Sequence, residues 1–149
     1  MECKAAVVVL VSKSGSILLI KRKENPNDPW SGHIAFPGGR RENHERCDET
    51  AIRECFEEVG IKPNLVKEIG IYFPNNAPDM KVKAFLSCVD NEFQPILQKD
   101  EVDMAMWVKP EELKQGNNEY YYGKFRIWGM TYRILRDVLE KKLYEICVK

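Results

Sequence analysis

Three glutamates, Glu54, Glu57 and Glu58, stand at i, i+3 and i+4 just ahead of Gly60 in the run GRRENHERCDETAIRECFEEVGI, residues 39–61. On a helix this spacing puts all three on one face. Like charges so placed repel by roughly 0.2–0.5 kcal/mol per pair. The later two also fall in the final turn, where the helix dipole disfavours anions. Stability alone does not select such a face. A cation held among these oxygens would remove both penalties, and hard divalent ions such as Mg²⁺ prefer carboxylate and carbonyl oxygen. The same segment carries Ala51, Ile52, Cys55, Phe56 and Val59 at helical spacing, so a neighbouring stripe faces a core. The helix is expected to run from about residue 48 or 49 to 59, with Asp48 as N-cap and Gly60 in the left-handed position past its end.

Around this helix the chain reads mostly as strands. Residues 5–11 form a valine-rich run, a turn follows at Ser12–Gly15, and residues 16–21 make the second arm of a hairpin. KENPNDPWSG at 23–32 is loop, and 33–36 is a brief strand stopped by Pro37, Gly38 and Gly39. Residues 66–73, 82–89 and 105–108 read as further strands, and 111–114 as one helical turn. Apolar residues from Met130 to Ile146 recur at helical spacing and predict the longest helix of the chain, over 127–146. The sum is a mixed α/β domain, with 1–149 read as one unit.

Composition narrows the partners. Lys plus Arg and Asp plus Glu both total 23, a net charge of zero, so nothing global points to nucleic acid or to an anionic membrane. The apolar N-terminal run is too short to span a bilayer and lacks a signal cleavage site. Five cysteines, an odd number with no CxxC pair, fit reduced thiols in a cytoplasmic protein.

The charged and glycine positions of the 39–61 segment carry a specific resemblance. Gly39, five residues, Glu45, seven residues, then Arg53-Glu54-Cys55-Phe56-Glu57-Glu58-Val59-Gly60-Ile61 resembles the Nudix box. Cys55 stands where that pattern has a bulky aliphatic residue. The resemblance implies a Nudix fold, a mixed sheet between helices, and Mg²⁺- or Mn²⁺-dependent hydrolysis of a nucleoside diphosphate derivative. Flanking residues extend it. Phe36-Pro37-Gly38 precedes the box, and Glu101 resembles an additional glutamate that several members place near the metals. Residues 18–22, 31–40 and 127–131 are similar to the coenzyme A pyrophosphatase branch, although His33 departs from it.

The resemblance implies Glu54, Glu57 and Glu58 as metal ligands, joined by a carbonyl of Gly38 or Gly39. It also implies an Arg53–Glu45 pair that orients the helix. Glu101, Glu57 or Glu54 is the general base. Arg22, Arg40 and Arg41 are candidates to hold substrate phosphates, because guanidinium forks suit such oxygens. His33 and His44 are read as structural or solvent-exposed and not catalytic, and Trp30, Tyr72, Phe73 and Trp128 as core before base platforms. The tyrosine run at 120–122 belongs to the fold or to a homodimer surface. Coenzyme A or acyl-CoA leads among substrates. ADP-ribose, dinucleotides, nucleoside triphosphates and a silent nucleotide-binding module stay open.

Overall fold

The computed structural model describes residues 2–28 and 31–149. The organising element is β1 (Ala5–Ser12), every residue of which is buried. Its side chains alternate between two cores. Val7, Val9 and Val11 enter one, while Ala6, Val8 and Leu10 enter the other. A continuous apolar run is the signature of such a strand, covered on both faces.

β1 pairs in parallel with β6 (Val82–Val89) and antiparallel with β4 (Gly38–Arg40). It also meets β2 (Ile17–Arg22), which pairs with β3 (Ile34–Ala35) and with β7 (Val102–Val108). β5 (Leu65–Tyr72) forms the edge beyond β6. Among the described residues these seven strands make one mixed sheet, and β8 (Lys114–Gln115), β9 (Tyr120–Tyr122) and β10 (Phe125–Ile127) make a small antiparallel one.

Two helices cover opposite faces of the large sheet. α1 (Cys47–Val59) buries Ala51, Cys55 and Val59 against Val8, Leu10 and Leu18. α2 (Gly129–Glu140) buries Ile134, Leu135 and Val138 against Val9, Val11 and Leu19. The mixed α/β class expected from the sequence is the class observed, and no helix among the described residues is long and apolar enough to cross a membrane.

Several expectations are corrected. α1 begins at Cys47, earlier than expected; extended Arg46 is its N-cap, and the Arg46 N–H donates to Glu49 Oε1 at 2.8 Å. Asp48 therefore sits inside the first turn, where the dipole still favours it. Phe56 is exposed and Ile52 only half-buried, so the buried stripe is narrower than periodicity suggests. The long C-terminal helix is broken: α2 stops at Glu140, Lys142 turns left-handed with φ 54°, and a 3₁₀ turn follows at Leu143–Ile146. At 12 residues α2 is shorter than α1 at 13.

The cysteines are corrected most plainly. Cys3 is bonded to Cys47 and Cys88 to Cys147; Cys55 alone is free, and buried. Partners lie 44 and 59 residues apart, so no local spacing announces them. They meet because α1 lies across β1, and because the chain past α2 folds back to the end of β6. Of the tyrosine run, Tyr120 is buried against Tyr132, with ring centres 5.1 Å apart, and Tyr121 and Tyr122 are half-buried. Trp30 lies outside the described residues.

Candidate active site

The acidic face of α1 turns toward β4. Glu54, Glu58 and Glu101 each offer an oxygen within 4.8 Å of the others. Glu58 is only 1% exposed, and the Gly38 N–H donates to its Oε1 at 2.9 Å. Burial pushes its carboxyl up to about 8, against the opposing pull of that N–H, and nearby Glu54 adds to the rise. Glu54 is raised too, first by burial and against its bond to Arg53. A side chain at Gly39 would overlap the Glu54 carboxylate, so only glycine lets β4 come this close. Three gathered carboxylates, one buried with no Lys or Arg ion-paired to it among the described residues, fit a divalent cation with oxygen ligands.

Glu101 reaches this group from a loop stitched to the end of α1. The Ile96 N–H donates to the Val59 carbonyl at 3.0 Å and the Gln98 N–H to the Glu58 carbonyl at 3.1 Å. These satisfy helix-end acceptors that would otherwise lack partners. The Glu101 N–H then donates to the Gln98 carbonyl at 2.9 Å, and the Glu101 carbonyl accepts from the Lys23 N–H at 2.9 Å. The backbone of Glu101 is thus held on both sides.

Arg53 is the hub beneath the site. Its Nε donates to Glu45 Oε2 at 2.7 Å and its Nη2 to Glu45 Oε1 at 3.1 Å, a two-pronged pair. Nη1 reaches Glu54 at 3.0 Å and Glu57 at 3.2 Å, and Nη2 also reaches the Arg40 carbonyl at 3.0 Å. Glu45 accepts as well from the Thr50 hydroxyl at 2.9 Å and the Glu42 N–H at 3.0 Å. The Arg53 hydrogen bond is the chief reason that the Glu45 carboxyl falls to about 2.

A cavity of about 760 Å³ opens over the carboxylates. Arg22 and Arg40 line it. Arg22 is held by Asp28, which accepts from Nη2 at 2.9 Å and Nε at 3.2 Å. Arg41 lies outside the lining, on the Glu45 carbonyl and Glu2, both at 3.0 Å. Glu57 is not in the group of three and rests on Arg53. His33 lines the cavity and meets the Trp128 ring edge-on at 4.9 Å, and burial lowers its pKa. Tyr72 donates to Asp137 at 2.6 Å and belongs to the core.

Sequence reasoning did not single out Asp28, Thr50 or Thr131. Asp28 and Thr50 act by holding Arg22 and Glu45, which no spacing rule reveals. Thr131 lies in a segment whose likeness to other proteins is visible, but its place in the cavity wall depends on how α2 is laid across the sheet.

Mixed sheet, box helix and clustered carboxylates together define a class. A profile of the NUDIX domain matches residues 1–128. The chain belongs to the Nudix hydrolase family. It is 40% identical over 74 residues to an ADP-ribose pyrophosphatase of Methanocaldococcus jannaschii, covering 50% of this chain and 40% of that protein. It is 32% identical over 115 residues to mouse peroxisomal coenzyme A diphosphatase NUDT7, covering 70% of this chain and 45% of that protein. The chain thus spans less than half the length of either relative. The crystal structure of a MutT protein from Methanosarcina mazei Go1 shares the fold, with a TM-score of 0.70, 22% identity and coverage of 94% and 95%.

Proposed function

We propose that this protein hydrolyses the P–O–P bond of a nucleoside diphosphate derivative with the help of Mg²⁺ or Mn²⁺. The observation that carries the reading is the convergence of Glu54, Glu58 and Glu101, with Glu58 buried. Glu54 and Glu58 hold the ion from α1, and a carbonyl of Gly38 or Gly39 is the backbone ligand. When bound, the ion supplies neutralisation of the diphosphate's charge and a more acidic water. Glu101, exposed and fixed by its backbone, accepts the proton of the attacking water. Arg53 and Glu45 orient Glu54. Arg22 and Arg40 receive phosphate oxygens. Glu57 reaches an ion only by giving up its bonds to Arg53, and Arg41 acts from outside the cavity.

Coenzyme A or an acyl-CoA is the leading substrate. The reading rests on likeness at 18–22, 31–40 and 127–131 and on the mouse relative. The relative from M. jannaschii supports ADP-ribose as the second reading. No nucleic-acid partner is proposed, and a homodimer is not argued from any observed face. A cytoplasmic location remains part of the proposal and rests on the substrate class, since paired cysteines no longer support it. The test is product analysis by ³¹P NMR with coenzyme A and ADP-ribose, with and without EDTA. Cleavage that stops on chelation is expected; binding of both without cleavage would favour the silent module instead.

A further inference from the structure

β2 ends at Arg22, and the chain comes back beside it at His33, immediately ahead of β3. The antiparallel register sets Lys21 against Ile34 and Ile20 against Ala35, so His33 falls opposite Arg22. The Arg22 N–H donates to the His33 carbonyl at 2.9 Å, which extends the ladder by that one pair. Residues directly opposite in a ladder project from the same sheet face. Both side chains line the cavity.

The imidazole is braced from behind. Its ring meets that of Trp128 edge-on, with centres 4.9 Å apart. The Arg126 guanidinium lies over the Trp128 ring, 5.1 Å from its centre, and Arg126 is itself ion-paired to Glu119. Residues of the small sheet and the N-cap of α2 thus steady a side chain of the large sheet. A ring held in this way loses little freedom when a ligand meets it. Its nitrogens make no hydrogen bond to any described residue. Burial lowers the His33 pKa, Asp28 opposes the fall and Arg22 adds to it, so the ring is uncharged at neutral pH. In either tautomer it then offers one N–H and one lone pair.

Arg22 decides which ligand group arrives here. Asp28 accepts from Nε and Nη2, so Nη1 is the donor left for the cavity, and the aspartate shares the guanidinium's charge. A phosphate oxygen at Nη1 gains from a second N–H alongside, and the residue across the ladder carries one. We propose that His33 is a substrate-binding residue that donates a ring N–H to a phosphate oxygen of the diphosphate, beside Arg22 Nη1. This rests on the diphosphate-hydrolase reading and adds to it a neutral donor where the arginine charge is already shared.

The test uses the full chain in Mg²⁺ and the methylene analogue of ADP, whose P–C–P link is not hydrolysed. In the wild type, NMR follows the two histidine rings, His33 and exposed His44, told apart with a His44→Gln variant. The analogue raises the His33 pKa by about one pH unit over Mg²⁺ alone, because an adjacent anion favours imidazolium. Adenosine leaves it where it was. Calorimetry then gives a roughly tenfold weaker Kd for His33→Leu, the scale of one hydrogen bond to a charged group. His33→Gln and His33→Asn each carry an amide N–H towards the place of one ring nitrogen, and one of the two keeps most of the affinity. An unmoved His33 pKa, or an equal rise with adenosine, overturns the contact. Equal loss in all three variants also overturns it, because the ring would then serve only to pack on Trp128, and so does loss in none. A wild type that binds no methylene analogue overturns the contact and the substrate class together. A raised pKa with no cleavage of coenzyme A or ADP-ribose keeps the contact and removes the hydrolase reading.

Discussion

At the scale of single residues, the site is a set of charges made tolerable by placement. Glu58 sits where a carboxylate gains least from water, held by one backbone N–H. Glu58→Gln keeps an oxygen for that N–H, so the fold should survive in EDTA with little change in melting temperature. Turnover should fall by about a hundredfold or more, the scale of losing one group that stabilises transition-state charge. The shift in melting temperature caused by Mn²⁺ should vanish with it. Glu45 behaves oppositely. Its pKa in the folded chain is depressed, from the ordinary 4.5 to about 2, chiefly by Arg53. The stability it contributes is therefore complete above about pH 4.5 and is lost as pH falls through about 2. Urea melts of wild type and Glu45→Gln should differ at pH 5 and converge near pH 2. At neutral pH the variant should lose roughly 10- to 100-fold in metal affinity, as expected when a partner that orients a ligand is removed.

At the scale of elements, the site depends on how closely β4 passes α1. Gly39→Ala adds one carbon that overlaps the Glu54 carboxylate. Metal affinity measured by calorimetry should drop markedly, while the urea midpoint moves little. A midpoint that collapses with intact affinity would mean that Gly39 serves the fold alone. The box helix, its glycine stop and the central strands were legible because they depend on local period and punctuation. Residues 82–89 form the strand the pattern predicts, and Gly60 takes its left-handed conformation with φ 83°. The Arg53–Glu45 pair was legible from the box resemblance. The buried state of Glu58, the exposure of Phe56 and the small sheet β8–β10 were not. Each depends on what is laid over the element: Gln98 and Ile96 over the end of α1, and Tyr132 under Tyr120. The break at Lys142 was hidden for the same reason, since apolar spacing continues through it while the chain bends to bring Cys147 to Cys88.

At the scale of the whole molecule, one sheet serves two cores, and the disulfides fasten one helix end on each side. Cys3–Cys47 ties the start of α1 to the entry of β1, and Cys88–Cys147 ties the chain past α2 to the end of β6. With partners 44 and 59 residues apart, each link restricts the unfolded chain by about 4 kcal/mol in the loop-entropy account. Urea unfolding in the presence of a phosphine reductant should show a clearly lower midpoint than without it; coincident curves would mean that the links add nothing. Since both cores share β1, unfolding should be one transition by fluorescence and circular dichroism alike. The account as a whole rests on a doubly charged ion held by Glu54 and Glu58 of α1, facing the Glu101 loop. Crystals grown with Mn²⁺ and a diphosphate ligand, recorded at the manganese absorption edge, test it most directly. An anomalous peak within coordination distance of Glu54 and Glu58, with Glu101 beside it, is predicted. Metal-dependent cleavage in solution with no peak beside these three residues would contradict it.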